Sequence, residues 1–507
     1  MISLGIDCGT QSLRVIIWDS ETGEVYSAFR SYGLIEGLPP GHKEQNPSVW
    51  IEALESCIGQ LARETSKLCA VEAIGVSGQQ HGLVVLDSQD EVIRPAKLWN
   101  DTSTESQCRK IVEAAGGPNE YYSEIGNSLP PGFTASKILW IRENEPAAYD
   151  RIKWLLLPHD YLNFYLTGSK VSESGDASGT GYFRVREREW SQQALQWIDP
   201  NRELDRCLPE LIASSEPAGV LRKHLAEKWG MGSSVLVSSG GGDNMMGALG
   251  SGNVSPGLLT VSLGTSGTLY SFCEAPVTDP LGEIAAFCDS TGGWLPLGCT
   301  MNVTVATEMV RNKILQVNHR EYDQALKTVP AGSDGLVLVP YLEGERMPSA
   351  PLGCGVLLGL RPATASPAHL ARATTEGVTM GLRYGLERMR QLGLSFQEVR
   401  LIGGGARSPV WRQIVADIFN LPVVSPGIEE GPAFGAALQA AWCKSREEIR
   451  DLAGRYVSLA EKTRRLPMGR NVPVYDGLYE LYKTASYELV DSEIFSRHRQ
   501  LIEESDG

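Results

Sequence analysis

Asp243 directly follows three glycines in "GGGDNMMG", residues 240–247, and this stretch is the first sign of chemistry in the chain. The preceding "SSVLVSS" predicts a buried strand and "NMMGALGSG" predicts a helix, so the carboxylate is expected at the carboxyl end of a strand, where open α/β sheets bind ligands. Glycines allow a ligand to approach the backbone or the chain to turn tightly. The alternative is an aspartate that caps the helix, and this stretch supports both interpretations equally.

Two hairpin-like segments lie about half the chain apart and suggest how this carboxylate is positioned. "SLGIDCGTQSLRVIIWD", residues 3–19, and "LTVSLGTSGTLYSFC", residues 259–273, each predict a strand, a Gly-Thr turn and a strand. Further along each half, "VEAIGVSGQQHG" and "VRLIGGGARS" predict a strand that runs into glycines after a helix. The pattern predicts duplicated α/β domains, with a turn-rich boundary at "GSGNVSPG" and a ligand cleft between the halves.

The two Gly-Thr turns are candidate phosphate sites, because their N–H and hydroxyl groups can bind phosphate oxygens. The turn residues are Gly9, Thr10 and Gln11 in the first hairpin and Gly264, Thr265 and Ser266 in the second. Asp7 stands where the second hairpin has Ser262, and a carboxylate there can bind a Mg²⁺ ion that carries nucleotide phosphates. A Gly-Thr pair can also be an ordinary hairpin turn, but two hairpins with an acid in only one favour nucleotide binding.

The composition excludes several other classes of protein. The 507 residues predict two domains, and the net charge of -15 argues against a nucleic-acid partner or an anionic membrane surface. The ten cysteines form no C-x-x-C motif and no zinc-like cluster with histidine, so we expect reduced thiols. The N-terminus runs directly into a predicted strand, and no apolar run is long enough to span a bilayer. A cytoplasmic location is expected.

Two longer segments resemble the signatures of the FGGY carbohydrate kinases, which belong to the actin/Hsp70/sugar-kinase superfamily. They are "GFTASKILWIREN", residues 132–144, and "GVLLGLRPATASPAHLARATTE", residues 355–376, the second of which departs from the pattern at Thr375. "SGQQHG", "LWND", "LLPHDYL", "PYLEGER" and "LIGGGARSPVWRQ" are similar to xylulokinase segments within this family. The chain departs from them at Gln80, where Met is usual, and at His159, where Lys is usual.

The resemblance implies two ribonuclease H-like domains with a cleft between them, residues 1–252 for the sugar and catalysis and residues 253–507 for ATP. It implies that Asp243 is the general base and that Asp7 binds Mg²⁺. The implied sugar-binding residues are Gln80, His81, Asn100, Asp101, Asp243 and Asn244. The implied ATP-binding residues include both Gly-Thr turns together with Gly403, Gly404, Gly405, Ala406 and Phe434. A structural hydrogen bond remains the alternative for His81, a turn for Asn100 and Asp101, and core packing for Phe434, while Lys137 can be a surface cation.

The expected reaction is transfer of the γ-phosphoryl group of Mg-ATP to a hydroxyl of a ketopentose, with D-xylulose first among the sugars. A kinase for ribulose, another ketose or a polyol is the first alternative. A nucleotide-dependent assembly protein like actin or Hsp70, or a non-catalytic sugar sensor, is a second. We expect the halves to close on their substrates with "GSGNVSPG" as the hinge, and a homodimer is an open alternative to a monomer.

Overall fold

The structure, a computed structural model, describes residues 1–342 and 344–505, and it repeats one sheet topology in the two halves of the chain. The strands of the first half are β1 (Ile2–Cys8), β2 (Ser12–Asp19), β3 (Val25–Ser31), β4 (Glu44–Gln45), β5 (Val71–Gly78), β6 (Val84–Leu86), β7 (Ala96–Lys97), β8 (Trp154–Leu156), β9 (Val171–Glu173), β10 (Phe183–Arg184), β11 (Glu189–Trp190), β12 (Glu210–Ile212), β13 (Pro217–Val220), β14 (Leu236–Ser238) and β15 (Gly241–Gly242). Its helices are α1 (Ser48–Glu64), α2 (Glu105–Ala114), α3 (Pro118–Ile125), α4 (Thr134–Asn144), α5 (Pro146–Arg151), α6 (Pro158–Thr167), α7 (Ser174–Ala177), α8 (Gln192–Ile198), α9 (Lys223–Trp229) and α10 (Asp243–Gly250).

The second half has fewer elements among its described residues, and its helices are longer on average. Its strands are β16 (Leu258–Leu263), β17 (Gly267–Tyr270), β18 (Ile284–Ala285), β19 (Leu297–Thr300), β20 (Val337–Pro340), β21 (Gly355–Leu358), β22 (Glu398–Ile402) and β23 (Val423–Val424). Its helices are α11 (Thr304–Met309), α12 (His319–Thr328), α13 (Pro367–Gln391), α14 (Pro409–Phe419), α15 (Gly431–Ser445), α16 (Ile449–Tyr456), α17 (Val472–Asp491) and α18 (Ile494–Ser505).

The main sheets of the two halves share an order of five strands, β14-β5-β1-β2-β3 matching β23-β22-β16-β17-β19, and each adds a further strand at the opposite edge. The first runs β13-β14-β5-β1-β2-β3, with β15 also paired to β5, and the second runs β18-β19-β17-β16-β22-β23. In each, a hairpin (β1–β2 or β16–β17) pairs in parallel with a strand that follows a long helix, α1 before β5 and α13 before β22. The predicted duplication of an α/β domain is therefore confirmed.

The two hairpins differ in the length of their turns. Cys8 pairs with Leu13 at the end of the first hairpin, whereas Leu263 pairs with Gly267 at the end of the second. The second turn is therefore one residue shorter. As a result, Arg14, opposite Asp7, and Thr268, opposite Ser262, occupy equivalent places in the two sheets.

Helix α15 belongs to the second half but packs against the first sheet. A Cβ atom on Gly5 would lie 1.9 Å from the Ala433 carbonyl oxygen, and one on Gly75 would lie 2.0 Å from the Ala436 carbonyl oxygen. Glycine is required in β1 and β5 because the helix backbone itself touches the strands. The other face of this sheet is covered by α1, whose buried face includes Trp50.

Helices α10 and α15 cross at a second pair of glycines. A Cβ atom on Gly250 would lie 2.0 Å from the Gly431 carbonyl oxygen, and one on Gly435 would lie 1.8 Å from the Met246 carbonyl oxygen. The contact is reciprocal, because each helix presents a glycine to the backbone of the other. The predicted hinge, residues 250–257, begins where α10 ends. Its Asn253 is buried and donates a side-chain hydrogen bond to the Tyr270 carbonyl across 3.1 Å.

The segment between β5 and β13 forms a helical layer that reaches the edge of the second sheet. The Asn127 side chain donates to the Ala286 carbonyl across 2.7 Å and accepts from the Ala286 N–H across 2.6 Å. Tyr270 and Leu297 of the second half share an apolar core with this layer. The halves are therefore in contact both through α10 and α15 and through this layer. No helix in the described part of the chain combines the length and apolarity that crossing a bilayer requires.

Candidate active site

Asp243 is the first residue of α10 and follows β15, which pairs in parallel with the end of β5. The glycines before it make room for protein side chains. A Cβ atom on Gly241 would lie 2.5 Å from Ser290 Oγ, and one on Gly242 would lie 2.8 Å from Gln80 Cγ. Gly240 adopts a φ of 72° at the turn. The expected position of the carboxylate at a strand end is confirmed. The glycines let neighbouring side chains pack against the backbone of this strand end.

Asp7 and Asp243 lie at the ends of two strands, β1 and β15, that both pair with β5, and both carboxyl groups are hard to ionise. Burial raises the pKa of Asp7 to about 6, although a 2.9 Å hydrogen bond from the Ser77 hydroxyl and the charge of Arg14 act in the opposite direction. Burial raises the pKa of Asp243 to about 7, and the negative charges of Asp7 and Asp176 add to the effect. Asp243 is therefore poised to take or release a proton near neutral pH.

Asn244 connects this carboxylate to Gln80. Its Nδ2 donates to Asp243 Oδ1 across 3.0 Å and to Gln80 Oε1 across 2.9 Å. This arrangement turns the Gln80 Nε2 away from Asn244. Nε2 lies beside the Asp176 carboxyl group, whose pKa burial raises well above its ordinary value while the amide acts in the opposite direction, but it makes no well-formed hydrogen bond within the described residues. Gln80 therefore offers a donor, and such a group suits a sugar hydroxyl.

A buried cluster of acids and one histidine lies beneath Gln80. His159 Nδ1 is 2.6 Å from Asp176 Oδ2, and His159 Nε2 is 3.0 Å from Asp160 Oδ1. Glu173 accepts the backbone N–H groups of residues 175 and 176 and caps α7. The two positions that depart from the xylulokinase pattern, Gln80 and His159, therefore both lie against Asp176. Sequence reasoning missed these three acids, although "SESGDASG" contains two of them, Glu173 and Asp176, and "LLPHDYL" contains Asp160.

His81 has an unusual backbone held by Lys137. Its φ is 63°, its Nδ1 is 2.7 Å from the Gly179 carbonyl oxygen, and its ring stacks on Phe133. Burial and then the charge of Lys137 lower the pKa of His81 to about 3, so the imidazole is neutral. Lys137 is 0% exposed and donates to the His81 and Gly132 carbonyl oxygens across 2.5 and 2.6 Å. The interpretation of Lys137 as a surface cation was wrong.

Asn100 and Asp101 differ in what they can offer a ligand. Asp101 is fully buried, and its Oδ2 accepts from Lys97 Nζ across 2.8 Å and from the Lys43 N–H across 2.9 Å. Its Oδ1 accepts from Ser103. The structure therefore corrects the assignment of Asp101 as a sugar ligand in favour of the turn alternative. Asn100 is partly exposed, its Oδ1 makes no hydrogen bond among the described residues, and it stays a predicted sugar contact.

The first Gly-Thr turn is held rigidly from behind. Tyr32 Oη donates to the Gly9 carbonyl across 2.6 Å, and Trp99 Nε1 donates to Thr10 Oγ1 across 2.8 Å. Gln11 is exposed at the tip. These bonds use acceptors of the turn and leave the N–H groups of Thr10 and Gln11 to a ligand, whereas the Gly9 N–H donates to the Ser12 carbonyl across 3.0 Å. An N–H-rich turn of this kind suits phosphate.

The second turn is joined to the third glycine-rich segment. The Gly264 and Thr265 carbonyls accept backbone N–H bonds from Thr304 and Val303, where α11 begins. A Cβ atom on Gly403, whose φ is 86°, would lie 2.8 Å from the Leu263 backbone. The two predicted ATP segments are therefore neighbours. Exposed residues of this surface are Gly403, Gly404 and Thr265, partly buried ones are Gly264 and Ser266, and buried ones are Gly405 and Ala406.

Phe434 does not reach this surface. Its side chain is 1% exposed and makes an edge contact with Trp18, with 5.3 Å between the ring centroids. It belongs to the core between α15 and β2. The structure therefore corrects Phe434 from nucleotide contact to core packing, the alternative that the small residues around it already favoured.

Comparison with known proteins identifies relatives along nearly the whole chain. Residues 2–250 match the model of the FGGY family of carbohydrate kinases, N-terminal domain, and residues 259–443 match that of the C-terminal domain. The chain is similar to "Xylulose kinase" of Haemophilus influenzae, 40% identical over 95% of this chain and 98% of that protein. It is also similar to "Xylulose kinase" of Escherichia coli, 36% identical over 86% of this chain and 88% of that protein.

Solved structures are similar over the same span. A "xyloylose kinase" from Brucella ovis has a TM-score of 0.88 at 31% identity and covers 96% of this chain and 99% of its own. A glycerol kinase from Plasmodium falciparum has a TM-score of 0.85 at 19% identity, with 96% and 98% covered, which shows the fold alone. The expected pair of ribonuclease H-like domains is confirmed.

Proposed function

This chain belongs to the FGGY family of carbohydrate kinases, and on that premise we propose that it transfers the γ-phosphoryl group of Mg-ATP to D-xylulose, forming D-xylulose 5-phosphate. The observation that carries the proposal is Asp243, a carboxyl group with a pKa of about 7 that lies beside the amides of Asn244 and Gln80. The xylulose kinase names of the relatives support the choice of sugar. Ribulose or a polyol is not favoured by them.

In phosphoryl transfer the protein mainly positions the reactants and stabilises charge, because the transition state is loose and rich in charge. In the proposed mechanism Asp243 accepts the proton of the attacking sugar hydroxyl. Asn244 holds the Asp243 carboxylate in place and donates its second N–H to Gln80, so the second lone pair of its Oδ1 is what it offers a sugar hydroxyl. The N–H groups of the two Gly-Thr turns bind the phosphates of ATP.

Asp7 is the residue that we propose to hold Mg²⁺. Its carboxylate is partly exposed at the end of β1, directly before the first Gly-Thr turn, and it carries the hard oxygen donors that Mg²⁺ prefers. The mutual repulsion of Asp7 and Asp243 also fits a site completed by a cation. When bound, the ion neutralises phosphate charge.

The experiment that tests the function is a coupled assay of ADP release with Mg-ATP and D-xylulose, D-ribulose, L-ribulose, L-xylulose or glycerol. We expect a clear preference for D-xylulose. Preference for another sugar would retain the kinase mechanism and direct attention to Gln80 and His159. Absence of any sugar-stimulated release would overturn the proposal and favour the assembly or sensor alternative.

A substitution separates catalysis from binding in the same assay. Asp243→Asn should lower kcat by a factor of about 10² to 10⁴, the usual contribution of a general base, while the affinity for a nonhydrolysable ATP analogue stays within threefold. Asp90→Asn, at an exposed aspartate far from the cleft, is the control. Retained turnover in Asp243→Asn would exclude Asp243 as the base.

We also propose that the enzyme acts in the cytoplasm, since its ten cysteines are unpaired, and a homodimer stays the alternative to a monomer. Cell fractionation tests the first statement. Light scattering coupled to size-exclusion chromatography distinguishes the homodimer from the monomer.

A further inference from the structure

One hydrogen bond joins the second hairpin to the helix that carries the proposed base. Thr268 lies in β17, just beyond the turn at residues 264–266, and its Oγ1 donates to Asn244 Oδ1 across 3.2 Å. Asn244 is the second residue of α10. The bond therefore runs from the proposed ATP-binding half to the proposed sugar-binding half, and both residues are partly exposed in the cleft.

This bond holds the Asn244 amide in place from the second half of the chain. A side-chain amide has one acceptor oxygen and one donor nitrogen with two N–H groups. Thr268 donates to the oxygen, and the Asp243 carboxylate, which only accepts, requires the nitrogen on its side, so the two N–H groups point to Asp243 Oδ1 and Gln80 Oε1, across 3.0 and 2.9 Å. The Gln80 oxygen is then engaged, and its Nε2, buried beside Asp176, is the atom that makes no well-formed hydrogen bond among the described residues. A single hydroxyl thus stands at the start of a chain of polar contacts that ends at the sugar-binding groups.

The first hairpin makes the equivalent contact with a different chemistry. Arg14, at the place in β2 that matches Thr268 in β17, pairs with Glu430 across 3.2 Å, and Glu430 directly precedes α15. Each hairpin therefore reaches the start of the helix in the opposite half. The Arg14 contact ends at Glu430, whereas the Thr268 contact continues to Asp243 and Gln80. The second contact links a phosphate turn to the groups around the sugar through hydrogen bonds, whereas Arg14 reaches Asp7 through its charge.

We propose that Thr268 is a positioning residue that couples nucleotide binding to sugar binding. The inference rests on the proposed function for the identity of the two ligands. A nucleotide that orders the second turn favours the position of β17 in which Thr268 holds Asn244, and this orients Gln80 and Asp243 for the sugar. By thermodynamic reciprocity, the sugar then strengthens nucleotide binding by the same factor.

The test is a binding cycle in the full chain, measured by calorimetry. The affinity for D-xylulose is determined with and without Mg²⁺ and a nonhydrolysable ATP analogue, and the ratio of the two dissociation constants is the coupling factor. We expect a coupling factor of at least about fivefold in the wild type. Thr268→Val, which keeps the shape and removes the hydroxyl, should bring the factor close to one. Thr268→Ser, which restores the hydroxyl, should retain most of it.

Thr278→Val is a matched control, because the Thr278 hydroxyl also joins the halves, accepting from Arg186 across 3.2 Å, but lies away from these ligands. It should leave the coupling unchanged. In turnover assays at saturating ATP, Thr268→Val should raise the KM for the sugar severalfold while kcat stays within about twofold. A general loss of packing would lower the melting temperatures of Thr268→Val and Thr278→Val alike. In that case Thr268→Ser would not restore the coupling.

Two results would overturn the inference: no coupling in the wild type, or equal coupling in wild type and Thr268→Val. Failure of the proposed function would give a different result, because the wild type would then neither bind nor phosphorylate D-xylulose. The same cycle is run in that case with the panel sugar that stimulates ADP release, or, if none does, with any panel sugar that binds. If no panel sugar binds, there is no coupling and the inference falls as well.

Discussion

The negative charge of Asp7 raises the pKa of the Asp243 carboxyl, so the proposed metal ligand and the proposed base act on each other. Burial is the larger cause of the raised pKa, and Asp176 adds a third charge to the site. A general base is most effective when its pKa lies near the working pH. The crowding of carboxylates at the two strand ends therefore serves the chemistry that we propose for Asp243.

The rate should depend on pH through this group. Because Asp243 must be deprotonated to accept a proton and its pKa is about 7, log kcat/KM for the sugar should fall with unit slope as the pH drops below about 7. The measurement is the pH profile at saturating Mg-ATP, with the fold checked by circular dichroism at each pH. Asp7→Asn removes one neighbouring negative charge and should lower the pKa of Asp243. The acid limb of the pH profile, measured on the residual activity of this variant, should therefore move to lower pH. A flat wild-type profile down to pH 5.5 would contradict the assignment.

The same carboxyl should make the folded protein less stable at high pH. Folding raises the pKa of Asp243 from 3.8 to about 7, so its favourable contribution is present at low pH and is lost as the pH rises through this window. Asp243→Asn escapes the penalty and should gain about 1–3 kcal/mol of unfolding free energy at pH 8, with little gain at pH 4. Denaturant unfolding at both pH values measures the difference, and Asp90→Asn should show none. Equal stability of Asp243→Asn and wild type at pH 8 would mean that folding leaves the pKa of Asp243 unchanged.

Gln80 should contribute to the recognition of the sugar. Gln80→Met removes the free Nε2 donor and the acceptor of Asn244, so we expect the KM for D-xylulose to rise about five- to tenfold, as for the loss of one hydrogen bond. Gln80→Glu keeps an acceptor for Asn244 and loses the donor. A similar rise in both variants would assign the effect to Nε2, and Gln89→Met, on an exposed loop, is the control. An unchanged KM in Gln80→Met would remove Gln80 from the sugar site.

Much of the fold could be predicted from the chain because its signals are local. The hairpins at residues 3–19 and 259–273 and the strand end before Asp243 follow from apolar runs that end in glycine. The rest depends on contacts that are distant in sequence. Lys137 can be buried because two backbone carbonyls accept hydrogen bonds from its ammonium group, and such carbonyls leave no signal in the sequence. His159 meets Asp176 only because β9 and α7 fold beneath Gln80.

The close contact between α15 and β5 should make Gly75 sensitive to any side chain. Gly75→Ala places a methyl group where the Ala436 carbonyl oxygen now lies, so we expect a loss of about 3 kcal/mol or more in unfolding free energy. Gly59→Ala is the matched control, since its Cβ meets nothing nearer than the end of Arg63 at 3.8 Å, and a gain of about 0.5–1 kcal/mol is expected within α1. Thermal and denaturant unfolding measure both changes. A Gly75→Ala variant as stable as wild type would show that α15 can move away from the sheet at little cost.

Helix α15 also determines what happens if the duplicated halves are separated. The second half supplies the helix whose backbone covers β1 and β5, so a fragment ending near residue 252 would expose the inner strands of its own sheet to water. The fragment should therefore aggregate when expressed alone and become soluble when the complementary fragment is co-expressed. Although the halves share a topology, they are expected to unfold as one cooperative unit, with a single transition for the whole chain.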